Sequence, residues 1–175
     1  MIATRPMVIS ARSPRVWPMP TYLVRHAKAG SRREWERPDE YRPLTAAGRL
    51  QAEAIAEHLG GRPISRLLSS PYLRCVQTLE PLAKELGLEV EGDDDLAEGS
   101  GFEPVLTLLD ELPDHSVLCS HGDVIPETLR ALERRGLEFV GLRDTRKGSI
   151  VVVERDESGR WARATSIGPP EPRRR

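Results

Sequence analysis

The chain has 175 residues, enough for one domain with its own hydrophobic core. Hydrophobic residues make up 38% of it and charged residues 30%, which excludes the fibrous and wholly disordered classes. Basic and acidic side chains nearly cancel to a formal charge of -1, which argues against a nucleic-acid binder, and no apolar run is long enough to span a bilayer.

Residues 1–20, "MIATRPMVISARSPRVWPMP", lack the continuous apolar stretch and small-residue cleavage site of a signal peptide. They read as a Pro-punctuated, poorly ordered extension ahead of a folded unit over residues 21–168, with 169–175 as a disordered tail. A short apolar strand is expected at 22–24, followed by a charged, proline-broken loop over 31–43. Thr45 is placed to cap a helix over 46–59, with Leu50, Ala54 and Ile55 near its apolar face and Gly60-Gly61 as its stop. A second strand is expected over 64–69. The helical spacing over 73–86 carries Pro81, which predicts a kink or a split.

A short strand at 88–90 precedes the acidic turn "EGDDD", and a helix over 102–112 follows, with Val105, Leu106, Leu108 and Leu109 as its apolar face. "SVLCS" (116–120) is a further strand and 126–135 a further helix. "GSIVVVERDESGRWARATSI" reads as a hairpin around a Ser-Gly turn. Strands alternating with helices predict an α/β sandwich whose central sheet is mostly parallel with an antiparallel edge. Cys75 and Cys119 form no CxxC and read as small buried residues of a reduced, cytoplasmic protein.

In such folds ligands bind beyond the carboxyl ends of the strands. The first strand delivers Arg25 and His26 there. The "RLLSS" strand delivers Ser69 and Ser70, with Arg74 opening the next helix, and "SVLCS" delivers His121 and Gly122. Two guanidinium forks suit a phosphate, since each can bond its oxygens in bidentate fashion. Two imidazoles beside them suit a nucleophilic or proton-sensitive role. Neither "CVQTLEP" nor "CSHGDVI" offers the following arginine that a cysteine phosphatase loop needs. His58, His115 and "DDD" lack the spacing of a metal site.

"LVRHA", "RPLTAAGRLQA", "LLSSPYLRCVQT" and "LCSHGD", in that order from Thr21 to about Ile150, resemble the motifs of the histidine phosphatase superfamily. The chain is most similar there to the small SixA-type phosphohistidine phosphatases. Its "RKGS" (146–149) also resembles the phosphatase-like half of Nudix-fused actinobacterial proteins, with no Nudix segment ahead of it in these 175 residues.

The resemblance implies a three-layer, phosphoglycerate mutase-like sandwich and a phosphatase that needs no cofactor or metal. His26 would be the nucleophile, with Arg25, Arg74 and His121 stabilising the transferred phosphoryl group. Glu98 would be the proton donor, Asp123 being the alternative. An attacking imidazole needs its far nitrogen held by a backbone acceptor. Lys28, with the arginines of the 31–42 loop and with Arg146 and Lys147, is a candidate to extend the anion site. The short loops predict an open site and favour a phosphohistidine protein as substrate. The alternatives are nucleotides or other small phosphorylated metabolites, or a catalytically weak phosphate-binding module. No membrane partner is expected, and the oligomeric state stays open.

Overall fold

The computed structural model describes residues 19–171. The predicted extension over 1–20 and tail over 169–175 lie mostly outside the described residues. Seven strands form one sheet: β1 (Pro20–Arg25), β2 (Arg66–Ser69), β3 (Val90–Gly92), β4 (Ser116–Ser120), β5 (Glu138–Val140), β6 (Ile150–Arg155) and β7 (Trp161–Ile167). Four helices join them: α1 (Ala46–Leu59), α2 (Leu73–Leu86), α3 (Glu103–Glu111) and α4 (Val124–Arg134). The sheet order is β3-β2-β4-β1-β6-β7-β5. The first four strands of that order are mutually parallel, β6 is antiparallel to β1 and β7, and β5 adds on parallel to β7. This is the predicted three-layer α/β sandwich.

Side chains alternate across a strand, and here both alternating sets are apolar because helices cover both faces. Tyr22, Val24, Leu67, Val117 and Cys119 face one way, onto Ile55 and Leu59 of α1 and Leu79 and Leu82 of α2. Leu23, Leu68 and Leu118 face the other way, onto Val105 and Leu109 of α3 and Leu129 and Leu132 of α4. Complete burial on both faces pins the register, because a one-residue slip would exchange the two sets.

Several local expectations need correction. Helix α1 is capped as predicted, with the Thr45 hydroxyl accepting from Gly48 N at 3.0 Å. Ala54 and Ile55 are buried as expected, but Leu50 is 53% exposed, and the buried set is completed by Gly48, Ala52, Ala56 and Leu59. Pro81 does not split α2, which runs unbroken from Leu73 to Leu86. Leu79, Leu82 and Ala83, all buried, hold the helix to the sheet on both sides of the proline, and packing outweighs the one backbone bond a proline removes. The third strand lies two residues later than predicted. β5 was not predicted: three residues on a sheet edge carry too little alternation to read as a strand.

Candidate active site

The parallel order β2-β4-β1 brings the C-terminal ends of these strands side by side, so their sequence-distant termini share one edge. His26 leaves β1 with its amide donating to Ser120 O at 3.0 Å. Its ring is buried, and its Nδ1 lies 2.8 Å from the Ala27 carbonyl, which fixes the ring's orientation and turns Nε2 outward as the free nitrogen. Burial lowers the His26 pKa from 6.5 to about 3, aided by His121, Arg74 and Lys147 and opposed by the Ala27 carbonyl. The imidazole is therefore neutral at pH 7.

His121 leaves β4 and is 1% exposed. Its Nε2 lies 2.8 Å from Ser70 Oγ and 3.5 Å from Cys75 Sγ, while its Nδ1 lies 3.4 Å from Arg74 Nη2. The His26 and His121 rings stand edge to face, with centroids 5.4 Å apart. Cys75 and Cys119 are both buried free thiols, and Cys75 Sγ packs against the His121 ring.

Arg25 donates to Thr145 O. A Cβ on Gly122 would lie 2.5 Å from the Arg25 guanidinium carbon, so a side chain at this place would have to push the Arg25 fork aside. Gly122→Ala should displace the Arg25 fork and weaken orthophosphate binding on the order of ten-fold, with a stability change of about 1–3 kcal/mol. Titration calorimetry alongside urea unfolding separates the two effects. Unchanged phosphate affinity would show that Arg25 does not serve the anion.

Arg74 stands in the first turn of α2, as expected. It is fully buried and stacks its guanidinium 4.5 Å over the Tyr72 ring. Nη1 donates to Asp39 O at 2.9 Å and reaches Asp39 Oδ2 at 3.0 Å, while Nη2 donates to Glu98 Oε2 at 2.9 Å. Glu98 also accepts from Arg32 Nη2 at 2.7 Å. The Arg42 side chain, 5% exposed, donates from Nε to Asp39 Oδ1 at 2.7 Å. The Arg42 hydrogen bond, with the charges of Arg74 and Arg32, holds the Asp39 pKa down at about 2 despite partial burial. Three arginines and two carboxylates thus form one network, with Arg74 behind Glu98. The Nε atoms of Arg25 and Arg74 are buried and lack hydrogen-bond partners.

A cleft of about 550 Å³ has Arg25, His26, Lys28, Glu98, His121 and Lys147 in its wall, while the fully buried Arg74 is not part of that lining. Ser31, Arg32, Arg42 and Asp123 also line it. Both candidate proton donors therefore face the cleft. Asp123 flanks α4 and accepts from Gly99 N at 2.9 Å through Oδ2. Arg146 pairs with Asp144, while Lys147 joins the cleft wall. Arg37 lies over Trp35 and Tyr41, which withdraws it from the site.

Asp39 and the Ser70 contact to His121 were not assigned roles from sequence, and Arg42, read with its loop neighbours as a candidate to extend the anion site, turns inward onto Asp39 and the Gly30 carbonyl. Arg42 stands inside the quoted "RPLT" stretch, which was the available signal. Asp39 had none beyond its place among loop carboxylates. Among the described residues no group of three or more His, Cys, Asp or Glu side chains is placed to hold a metal ion. No described helix is long and apolar enough to cross a membrane.

Residues 21–103 match the model of the histidine phosphatase superfamily, branch 1. An 8-oxo-(d)GTP phosphatase of Mycolicibacterium smegmatis is 32% identical over 155 residues, covering 85% of this chain. The chain spans about half the length of that relative, 48%. The tungstate complex of the protein histidine phosphatase SixA superposes with a TM-score of 0.69 at 26% identity, covering 88% of this chain and 97% of that one. A SixA structure from Nakamurella multipartitia does so with the same score and identity, covering 87% and 97%.

Proposed function

The chain belongs to the histidine phosphatase superfamily, and from that premise we propose that it is a phosphatase acting through a covalent phosphohistidine on His26. The observation that carries this reading is the neutral, backbone-oriented His26 set among Arg25, His121, Lys28 and Lys147 in one cleft. Nε2 of His26 attacks phosphorus, and the bond from phosphorus to the leaving atom breaks. A proton from solvent reaches that atom by way of Glu98, which lines the same cleft. Water then attacks the phosphohistidine, its proton passes to the Glu98 carboxylate, and phosphate leaves with His26 restored.

Phosphoryl transfer depends mainly on positioning and on stabilising charge over the equatorial oxygens. Arg25 and His121, both in the cleft wall, are the groups assigned to this in the proposed mechanism. Arg74 joins them when an incoming phosphoryl oxygen takes the place of the Glu98 carboxylate on Nη2, and that exchange also frees Glu98 to serve the leaving group. The unpartnered Nε atoms of Arg25 and Arg74 support this reading, since a buried donor without a partner costs about 1–3 kcal/mol until an acceptor arrives.

The charge of the cleft favours a small phosphorylated molecule as substrate, in keeping with the nucleotide named for the M. smegmatis relative. A phosphohistidine protein is the second reading, carried by the likeness to SixA over nearly the whole chain. Brief incubation with labelled substrate and quenching in base should leave a phosphoryl label that acid removes, present in the wild type and absent from His26→Ala. Turnover of nucleotides, sugar phosphates and phosphohistidine protein side by side ranks the two substrate classes. A label that persists in His26→Ala would sink the mechanism.

A further inference from the structure

Beyond His26 the active-site cleft opens into a second cleft of about 720 Å³, and Arg25, Lys28 and Lys147 line both. The chain contains three lysines, Lys28, Lys84 and Lys147, so two of the three stand on this one shared wall. Lys28 and Lys147 make no ion pair with a carboxylate among the described residues. Arg146 lies in the outer cleft but is tied to Asp144, and Glu171 is the one carboxylate in that lining.

The two lysines are held in place through their backbones. Gln51 of α1 accepts from Lys28 N at 2.9 Å through Oε1 and donates to Lys147 O at 3.4 Å through Nε2. One neutral side chain therefore tethers two segments 119 positions apart in sequence, counting from Lys28 to Lys147. The "RKGS" turn is fastened to the end of β1 as well. Gly148 N donates to the carbonyls of Arg25 and His26 at 3.1 and 3.2 Å, and Arg25 N donates to Ser149 O at 3.0 Å. Gly148 has φ of +84°, a left-handed conformation that an L side chain adopts only with strain, so the turn depends on glycine at this place. Partial burial and the guanidiniums of Arg25, Arg42, Arg74 and Arg32 all push the Lys147 pKa down, which marks a wall with surplus positive charge.

We propose that Lys28 and Lys147, spaced by Gln51, form a second anion site that takes further phosphoryl groups of a polyphosphate chain whose terminal phosphoryl group sits at His26. This rests on the reading of the His26 cleft as the phosphoryl-transfer site. Ammonium groups are point donors that follow a flexible run of phosphate oxygens, whereas the guanidinium forks around His26 suit one phosphoryl group held in fixed geometry. The chemistry shared by inorganic triphosphate and a nucleoside triphosphate is what this wall would read.

The test is calorimetric binding to full-length His26→Ala protein, in which the proposed transfer cannot proceed, with orthophosphate, inorganic triphosphate and a nucleoside triphosphate as probes at one fixed salt concentration. Triphosphate should bind at least about ten-fold tighter than orthophosphate, and adding Lys28→Ala with Lys147→Ala should erase most of that preference. Adding Arg49→Ala with Arg160→Ala instead removes two exposed charges outside both clefts and should leave the preference intact. Tighter binding of the nucleoside form names a nucleotide as the source, and equal binding names the bare phosphate chain.

No preference for triphosphate, a preference that survives loss of both lysines, or equal loss in the arginine control would each overturn the lysine site alone. Orthophosphate binding that is unaffected by Arg25→Ala would instead strike the reading of the His26 cleft, and this inference with it.

Discussion

Replacing Arg74 with alanine is expected to lower kcat/KM by about 10²–10³ and to destabilise the fold by about 2–3 kcal/mol. The first figure follows from loss of one preorganised guanidinium at the charge that develops during phosphoryl transfer. The second follows from complete burial of the side chain with two carboxylate partners, Asp39 and Glu98. It stays below the 3–5 kcal/mol range for breaking a fully buried pair because both carboxylates are about a third exposed and can rehydrate. Arg32 and Arg42 also remain as partners for them.

Arg74→Lys should recover part of the stability and little of the activity, since one ammonium cannot hold Asp39 and Glu98 apart in the way a planar fork does. Urea unfolding and steady-state kinetics on an aryl phosphate measure both quantities. An alanine variant within ten-fold of wild-type kcat/KM would leave Arg74 a purely structural residue.

The second large effect belongs to His26. His26→Ala should lower kcat by at least about 10³, because no neighbouring side chain offers a neutral nitrogen at the same place. The pH dependence carries a separate signature. The folded-state pKa of about 3 lies below the unfolded value of 6.5, so between these limits the unfolded chain binds a proton that the folded chain does not. His26 therefore withdraws stability from the wild type as pH falls from 6.5 toward 3, and above 6.5 it has no such effect.

Urea midpoints of the wild type relative to His26→Ala should accordingly drop between pH 7.5 and pH 4.5. Protonation of His26 should cause no loss of wild-type kcat/KM down to about pH 4. A constant midpoint difference across that range would show that His26 titrates as an exposed histidine.

The main features of the fold were legible because local signals agreed. Thr45 before an apolar period, Gly60-Gly61 after it, and apolar runs such as "SVLCS" each report on their own neighbourhood. The misplaced features were those that neighbours in space decide. Pro81 was expected to kink or split α2, but the helix is continuous, with Leu79, Leu82 and Ala83 buried on either side of the proline. Leu50 was placed with Ala54 and Ile55 on the apolar face of α1, but it is exposed while those two are buried. β5 exists only because β7 offers an edge to pair with.

For the site, the sequence by itself determined which groups stand at strand ends. Chain direction and period carry Arg25-His26, Ser70 and His121 to such ends whatever the details of packing. The motif resemblance added the expected chemistry. Only the tertiary structure decided how these groups are held. It set Asp39 and Glu98 on the two amino groups of Arg74, turned Arg42 inward, placed Lys147 beside Lys28, and lowered the His26 pKa. Each of these depends on distance and burial between segments remote in sequence, and electrostatic energy depends on those two quantities rather than on residue order.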